Sequence, residues 1–491
     1  MKQIGRAALF VLVALGAAPI ACGLGVQRTE LPNGLRVLAV EDPSSDIAAA
    51  QLLIGANAQT EPEAMAGLRA VLQQMVHGGL RERLRSEPDL QPLRDQEDAA
   101  GMGATGTAFA VATSWEFAQV TAQGTTDALP DLLRFLREAV FSPPLTQEVL
   151  APALGVTHLG LDGERAAAPA EATSYLFRQA ADGPTNPRAR SIRGTHATLG
   201  GLDLAEVQAY HRRYYVPNLS CLCVVAALPA AETTRLVQES FGGLARGRDV
   251  ETSAPPAPTQ SAVRVTEDPT LEWNRGLPAG FQMASLIAGC PAPAYGDPDY
   301  AAATVILALL AGTDQQPGLV RQDDGLYRAL GLEPLGVTTA HAREQGAVEP
   351  LPMEYGPCNH VAFHAYLTTR SLEGFSRGLL GHFERLAAAE PAFAEAQLAE
   401  AKTIALNQRA QTLEPRVTQA LELARSELLA RSWEFAAGFD DRLRAVTAAD
   451  IQRVADTYFQ RHAVGVRLPA PEVEPEEQPE TVPPPGMTAR R

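Results

Sequence analysis

The chain has 491 residues, 46% of them hydrophobic, and its 57 acids outnumber its 41 bases to give a net charge of −16. That acid excess argues against a phosphate backbone as partner, since nucleic-acid binding needs basic surface. The length predicts roughly two to four domains, and the apolar content is that of a folded globular protein.

In chain order, residues 1–22 read as a signal peptide. Lys2 and Arg6 form a basic start, and Ala7 to Ala18 is an apolar run too short to span a membrane. It closes on Pro19-Ile20-Ala21-Cys22-Gly23, the shape of a bacterial lipoprotein signal in which Cys22 carries the lipid. Pro19 stands where an aliphatic residue is usual, so plain secretion remains the alternative. Either route places the protein in the cell envelope, in the periplasm or anchored as a lipoprotein.

Residues 26–248 form a first half. Leu35 to Val40, Ala48 to Ile54, Gly106 to Ser114 and Phe117 to Thr121 read as strands. A polar turn, Asn57 to Glu63, leads into a helix with an apolar stripe at Gly67 to Met75. His at 70 and 74 with Glu at 73 would put two ligands and a base on one helix face, a zinc-peptidase arrangement. The chain has Ala70, Gln73 and Gln74 there. Alanine has no lone pair, and glutamine is neither a good ligand nor a base. The two glutamines keep the capacity to hydrogen-bond a peptide. Arg81 to Asp98 is a charged surface loop or helix insert. Helices follow at Leu132 to Val140 and from Pro144 to Glu148 onward, and Asp203 is the N-cap of another. That helix runs through Tyr214-Tyr215 into a β-rich segment, Leu219 to Ala227. Cys221 and Cys223 alternate within it and face one side, so they are poorly placed to bond each other. Pairing with Cys290 or Cys358, or four buried thiols, both fit.

Residues 249–261 are a Pro-rich linker, and 262–468 repeat the first pattern at an offset of about 247 residues. A helix from Leu379 to Ala388 precedes the Pro391 to Glu395 opening, Asp450 is the N-cap matching Asp203, and Tyr458-Phe459 leads to Val464 to Leu468. Residues 469–491, rich in Pro and Glu, read as a disordered tail. The fold class is therefore α+β, with two homologous halves, each a mixed or antiparallel sheet packed with helices. Within the second half, Cys358 to His364 alternates like a strand, which sets His360 and His364 on one face about 13 Å apart, too far to share a metal. No phosphate-binding glycine loop or Gly-x-Ser-x-Gly elbow is present.

In this order and spacing, the landmarks resemble the pitrilysin/insulinase (M16) family of zinc peptidases, the group that includes mitochondrial processing peptidase. Leu31-Pro32-Asn33-Gly34-Leu35-Arg36-Val37 is similar to its opening turn and strand, and Gly55 to Glu61 with Gly67-Leu68 to the approach to its metal helix. Gly101 to Thr107 is similar to the segment after that helix. Tyr214-Tyr215-Val216-Pro217-Asn218-Leu219, Phe241-Gly242-Gly243-Leu244 and Val446-Thr447-Ala448-Ala449-Asp450-Ile451 are similar to later junctions. The resemblance covers about 28–468.

The resemblance implies His, Glu and His where this chain has Ala70, Gln73 and Gln74, and a further Glu ligand near Thr157 to Leu161, where no carboxylate stands. It also implies a substrate-gripping arginine and tyrosine in the second half, matched by Arg321 and, one residue early, Tyr327. The glycine-rich loop of the non-catalytic processing-peptidase subunit would fall at Leu310-Ala311-Gly312-Thr313-Asp314, which is not glycine-rich. The implied function is a non-catalytic homologue with no metal of its own. It would pair as a heterodimer with an active zinc-bearing subunit, the four halves closing a chamber around a peptide or unfolded polypeptide. An envelope binding or scaffolding lipoprotein without a peptidase partner fits the same residues, and an active peptidase with relocated ligands is the third reading. Any membrane contact would be through an N-terminal lipid.

Overall fold

The computed structural model describes residues 25–86, 109–167, 169–250, 260–268, 281–353, 356, 358–388 and 393–469. The signal segment with Cys22, most of the Arg81 to Asp98 insert, the Gly101 to Thr107 stretch, the centre of the linker and the tail beyond Pro469 lie outside the described residues.

The first half runs β1 (Val26–Glu30), β2 (Arg36–Glu41), β3 (Ile47–Ile54), α1 (Leu68–Ser86), β4 (Phe109–Thr113), β5 (Ala118–Thr125), α2 (Leu129–Phe141), α3 (Gln147–Ala167), α4 (Pro169–Asp182), α5 (Leu204–Tyr214), β6 (Ser220–Ala226) and α6 (Ala230–Phe241). The second half runs β7 (Ala262–Asp268), β8 (Met283–Ala292), α7 (Tyr300–Ala311), β9 (Val348–Pro350), β10 (Asn359–Thr368), α8 (Leu372–Leu386), α9 (Glu395–Leu413), α10 (Arg416–Arg425), α11 (Ala448–Tyr458) and β11 (Ala463–Pro469). Short helical turns join several of them. The four strands anticipated in the first half are present with shifted ends. Strand β1 is an addition, and β11 extends one residue past the expected boundary at 468.

Topology establishes the duplication. The sheets are ordered β1-β2-β6-β3-β5-β4 and β7-β11-β8-β10-β9. Strands β2 and β6 are parallel, as are β7 and β11, and the remaining pairs in both sheets are antiparallel. Without β1, the two orders are the same. Asp203 is the N-cap of α5, as expected, with Glu206 returning the bond in a capping box. Asp450 is not an N-cap. Thr447 caps α11 and Asp450 is the third helical residue that completes its box. A carboxylate three residues inside the helix can reach back to the cap's own N–H, so the sequence offset misassigned the roles.

Each half gives one helix to the other. Helix α4 leaves the first half and lies across β7, β8 and β11 of the second sheet, and α10 leaves the second half and lies across β3 and β6 of the first. Every central strand is thus covered on both faces, which explains continuous burial where one-sided sheets alternate. In β6, Leu222, Val224 and Ala226 join the first-half core, while Cys221, Cys223 and Val225 meet Ala420, Leu423 and Ala424 of α10. The two cysteines share a face as predicted, and all four described cysteines are buried free thiols. Burial pushes the Cys221 thiol up to about 12. At the other exchange, Gly465 of β11 sits where a Cβ would come within 2.4 Å of the Phe177 backbone nitrogen, so only glycine admits α4 at this distance.

Polar groups fix the exchanged helices. Arg416, at the start of α10, donates to the Asp42 carboxylate at 2.8 Å and to the Asp42 and Ser45 carbonyls at 2.7 and 2.8 Å, closing around the β2–β3 turn. Gln51 donates to the Val417 carbonyl, and Arg36 to that of Glu427. Under α4 a hydroxyl chain links Thr173 to Ser285 (2.7 Å) and Ser285 to His364 Nε2 (2.9 Å). His360 Nε2 lies 3.0 Å from Asp182 Oδ1. The segment holding both histidines is a strand, as expected, and each ring is bound to its own partner in the junction.

Replacing Arg416 by Met leaves the Asp42 carboxylate and the turn carbonyls without their donor, and the expected loss is about 3 kcal/mol in urea unfolding. A loss below about 1 kcal/mol would mean the clamp is redundant. Burial pulls the His364 imidazole down to about 4. A group depressed on folding stabilises while neutral in both states, so this contribution is present above the unfolded pKa and is lost as pH falls through it. Between about pH 6.5 and 4 the protein should lose up to ~3 kcal/mol from this residue alone. His364→Gln should flatten that part of the stability–pH curve, and parallel curves for the two proteins would contradict the assignment.

Candidate functional site

The motif helix α1 is entered through a left-handed turn at Gly67 (φ 99°), where a Cβ would lie 2.5 Å from the Arg193 carbonyl. The Glu61 carboxylate accepts from the Arg69 backbone N–H at 2.8 Å, an acid satisfying an open donor at a helix start. Burial pushes the Glu61 carboxyl up, against the pull of Arg69. The fully buried Arg69 guanidinium donates to the Ala56 carbonyl at 3.0 Å and to the Ser114 carbonyl. The frame that would present a metal motif is intact.

The reactive positions are occupied differently. Ala70 is buried and Gln74 half-buried. Gln73 is 1% exposed. Its Nε2 donates to the carbonyls of Ala112 (3.0 Å) and Gln119 (2.9 Å), which face each other across β4 and β5. Its Oε1 accepts from the Tyr215 hydroxyl at 3.2 Å, and burial pushes that phenol up, so it stays a donor. Both amide hydrogens and the amide oxygen are therefore engaged within the protein. This corrects the expectation that Gln73 could hydrogen-bond a peptide. It also makes the position hostile to a base, because a carboxylate has nothing to donate to two carbonyl oxygens.

Helices α1 and α3 pack together, and Gly67 and Gly160 both close on Arg193, so Thr157 to Leu161 lies near the entry to α1. Thr157 donates to its own helix at Ala153 O (2.8 Å), and Leu161 is buried apolar surface. His158 stacks on His196 with their Nδ1 atoms 2.8 Å apart, and His196 Nε2 lies 2.9 Å from Asp162. These three form a hydrogen-bonded chain through His196, and among the described residues no group of three His, Cys, Asp or Glu side chains is placed to hold a metal. The donor set around α1 does not fit zinc.

Arg321 and Tyr327 sit on short helices of the second half. Arg321 Nη1 pairs with exposed Asp314 at 2.5 Å, and its carbonyl accepts from Arg343. Tyr327 is buried beneath the Arg343 guanidinium, 4.6 Å from its ring centre, and its hydroxyl has no hydrogen-bond partner among the described residues. The partners named here all lie within the second half. Sequence reasoning missed Glu61, Arg69 and Tyr215 as the setting of Gln73. The Gly-Leu-Arg start of the helix was legible, but partners 40 to 140 residues away were not. A cavity of about 470 Å³ opens beside α1, lined by Glu63, Ala66, Tyr175, Arg190 and Thr198 and by Arg467 of the second sheet.

The family described as "Peptidase M16 inactive domain" matches residues 201–331. An uncharacterized zinc protease of Mycobacterium leprae is 26% identical over 51% of this chain and 53% of its own length. The mitochondrial-processing peptidase subunit beta of Blastocladiella emersonii is 24% identical over 49% and 50%. The chain thus spans about half the length of the curated relatives it matches. Among solved structures, a protease from Helicobacter pylori superposes with a TM-score of 0.72 at 16% identity, covering 91% of this chain and 100% of that one. A peptidase M16 inactive domain from Pseudomonas fluorescens gives 0.71 at 16%, covering 92% and 100%. The duplicated M16-like fold is shared along nearly the whole described chain.

Gln73→Glu should cost about 3 kcal/mol at neutral pH. The new carboxyl would have a raised folded pKa, so the cost should be small at low pH and grow as pH rises past about 4.3. Gln73→Met should show a smaller, pH-independent loss. Equal stability of the Glu variant and the parent at pH 7 would overturn the assignment of Gln73 as a structural tie.

Proposed function

We propose that this chain, whose fold is M16-like and whose residues 201–331 match the M16 inactive-domain family, is the non-catalytic subunit of a peptidase pair in the cell envelope. The observation that carries this reading is Gln73. The side chain where the base would stand is held by two carbonyls and a phenol, while Gly67, Glu61 and Arg69 keep the helix in its frame. The fold is maintained and the chemistry removed, as expected of a chain needed for assembly. Zinc then belongs only to the partner, an active M16-type subunit.

A peptide or unfolded polypeptide would be held in a chamber made by both subunits. Arg321 is suited to a substrate carbonyl, because its present partner, Asp314, is exposed and readily exchanged. Tyr327 is suited less, with its ring under Arg343. Location in the envelope rests on the basic and apolar segment before Cys22.

Tagged protein purified from the native host should co-elute one-to-one with an intact His-x-x-Glu-His homologue, with zinc stoichiometric to that subunit. A solitary, zinc-free protein would sink the pairing and leave a scaffolding or binding lipoprotein. Zinc on this chain itself would restore the reading with relocated ligands.

A further inference from the structure

Outside the degenerate motif, two imidazoles meet through the same ring nitrogen. His158 stands in the middle of α3, and His196 opens the short helix His196–Gly200, which Thr195 caps. The ring planes lie within 6° of parallel, with their centres 5.0 Å and their Nδ1 atoms 2.8 Å apart. Both Nδ1 atoms therefore lie between the rings and face each other. His196 Nε2, on the opposite edge of its ring, lies 2.9 Å from Asp162 Oδ1, and Asp162 is one turn along α3 from His158. The cluster is at the surface, with the His196 side chain 46% and that of Asp162 61% exposed.

The hydrogens in this chain are set from its far end. A carboxylate only accepts, so His196 Nε2 carries the hydrogen that Asp162 receives. A neutral His196 then presents a lone pair at Nδ1, and His158 Nδ1 donates into it. His158 Nε2 makes no hydrogen bond among the described residues. A carboxylate that holds one nitrogen of a histidine, so that the other points away as a lone pair, is the arrangement that supports metal-bound histidines. Asp162 itself cannot reach an ion at Nδ1, because the His196 ring stands between them.

The number and direction of the donors decide which ion fits. Two nitrogens face one point from opposite sides, and among the described residues no third His, Cys, Asp or Glu side chain joins them. Zinc takes three or four protein ligands, and calcium and magnesium take shells of oxygens. Copper(I), a closed-shell monovalent ion, is satisfied by two ligands in line, and imidazole suits copper. We propose that His158 and His196 hold one copper(I) ion between their Nδ1 atoms, with Asp162 positioning His196. Binding moves the His158 hydrogen from Nδ1 to Nε2, so both rings stay neutral and no electron is transferred. Metal–nitrogen bonds of about 2 Å set the two Nδ1 atoms roughly 4 Å apart, about 1 Å wider than the hydrogen bond. Surface rings on two separate helices can open by that much. Asp162 also places negative charge behind the cation, and the neighbouring Arg193 is paired with Glu171 at 3.5 Å. The site uses none of Ala70, Gln73 and Gln74, does not depend on the peptidase pairing, and is untouched by zinc found in a partner.

The four described thiols are soft ligands too, but all are buried. The test uses the full-length protein with Cys22→Ser, which removes the remaining thiol. Copper(I) is titrated into it without oxygen, in competition with bicinchoninate. One equivalent should bind with a Kd of about 1 µM or below. X-ray absorption of the loaded protein should show two nitrogen ligands at about 2 Å and no sulfur. His158→Ala and His196→Ala should each weaken binding at least about a hundredfold, and Asp162→Asn about tenfold, the usual effect of losing such a supporting carboxylate. The absorption spectrum decides the matter if a variant does not fold, because it is read on protein with both histidines in place. Weaker affinity than about 1 µM, a copper shell containing sulfur, or unchanged affinity in the folded histidine variants would overturn the proposal.

Discussion

The exchange of α4 and α10 is the constraint on which the rest of this molecule depends. A sheet with one helical layer leaves its second face to water, and here each half closes that face with a helix from the other. Neither half can complete its layers alone. Leu53, Val225, Cys221 and Cys223 would be exposed without α10, and Ile287, Ala362 and Ala463 without α4. Stability is therefore pooled, and the two halves are expected to unfold as one cooperative unit although the sequence reads as two domains and a linker. Arg416 fits this logic. It gathers the carbonyls of a tight turn that has no helix of its own to cover it.

The degenerate motif shows which residues of a site belong to the fold and which to its chemistry. Gly67, Glu61 and Arg69 form the turn and cap that start α1, and losing them would unseat the helix. A ligand histidine stabilises the apo fold little, so its replacement by Ala70 has little structural consequence. The base position is different, because the 73 side chain lies between two strands where something must donate to the Ala112 and Gln119 carbonyls. Glutamine is nearly isosteric with glutamate and supplies both hydrogens. The substitution that ends base chemistry is also the one that satisfies the hairpin.

Much of the architecture was legible before any coordinates. Alternating apolar residues located β2 to β6, and capping residues located α5, because strands and helix starts obey local rules. The duplication was legible through its aromatic pairs and helix openings, but its offset drifts from about 247 in the middle to 244 at the Asp203–Thr447 pair of caps, and that drift put Asp450 in the wrong role. The replacement of the ligand and base residue types at α1 was legible because a zinc motif needs particular residues at fixed spacing. The exchange was not legible, since nothing in a helix's own periodicity says which sheet it will cover. Nor were Glu116, Arg178, Asp182 and Arg188, which are ordinary charged residues until the fold buries them together.

The two exchanged interfaces differ in the polar chemistry that seats each helix. Under α10 a layer of thiols, leucines and alanines is edged by polar groups, with Gln51 donating to the Val417 carbonyl and the Glu422 carboxylate held by Arg409 and Arg425. Under α4 the joint contains a hydroxyl–imidazole chain, a carboxylate–imidazole pair and a bidentate guanidinium–carboxylate pair. Buried charge of this kind is a poor way to gain stability, since well-packed apolar side chains of similar volume often do as well or better. At both joints the buried polar groups are therefore better explained as fixing where each exchanged helix sits than as adding stability.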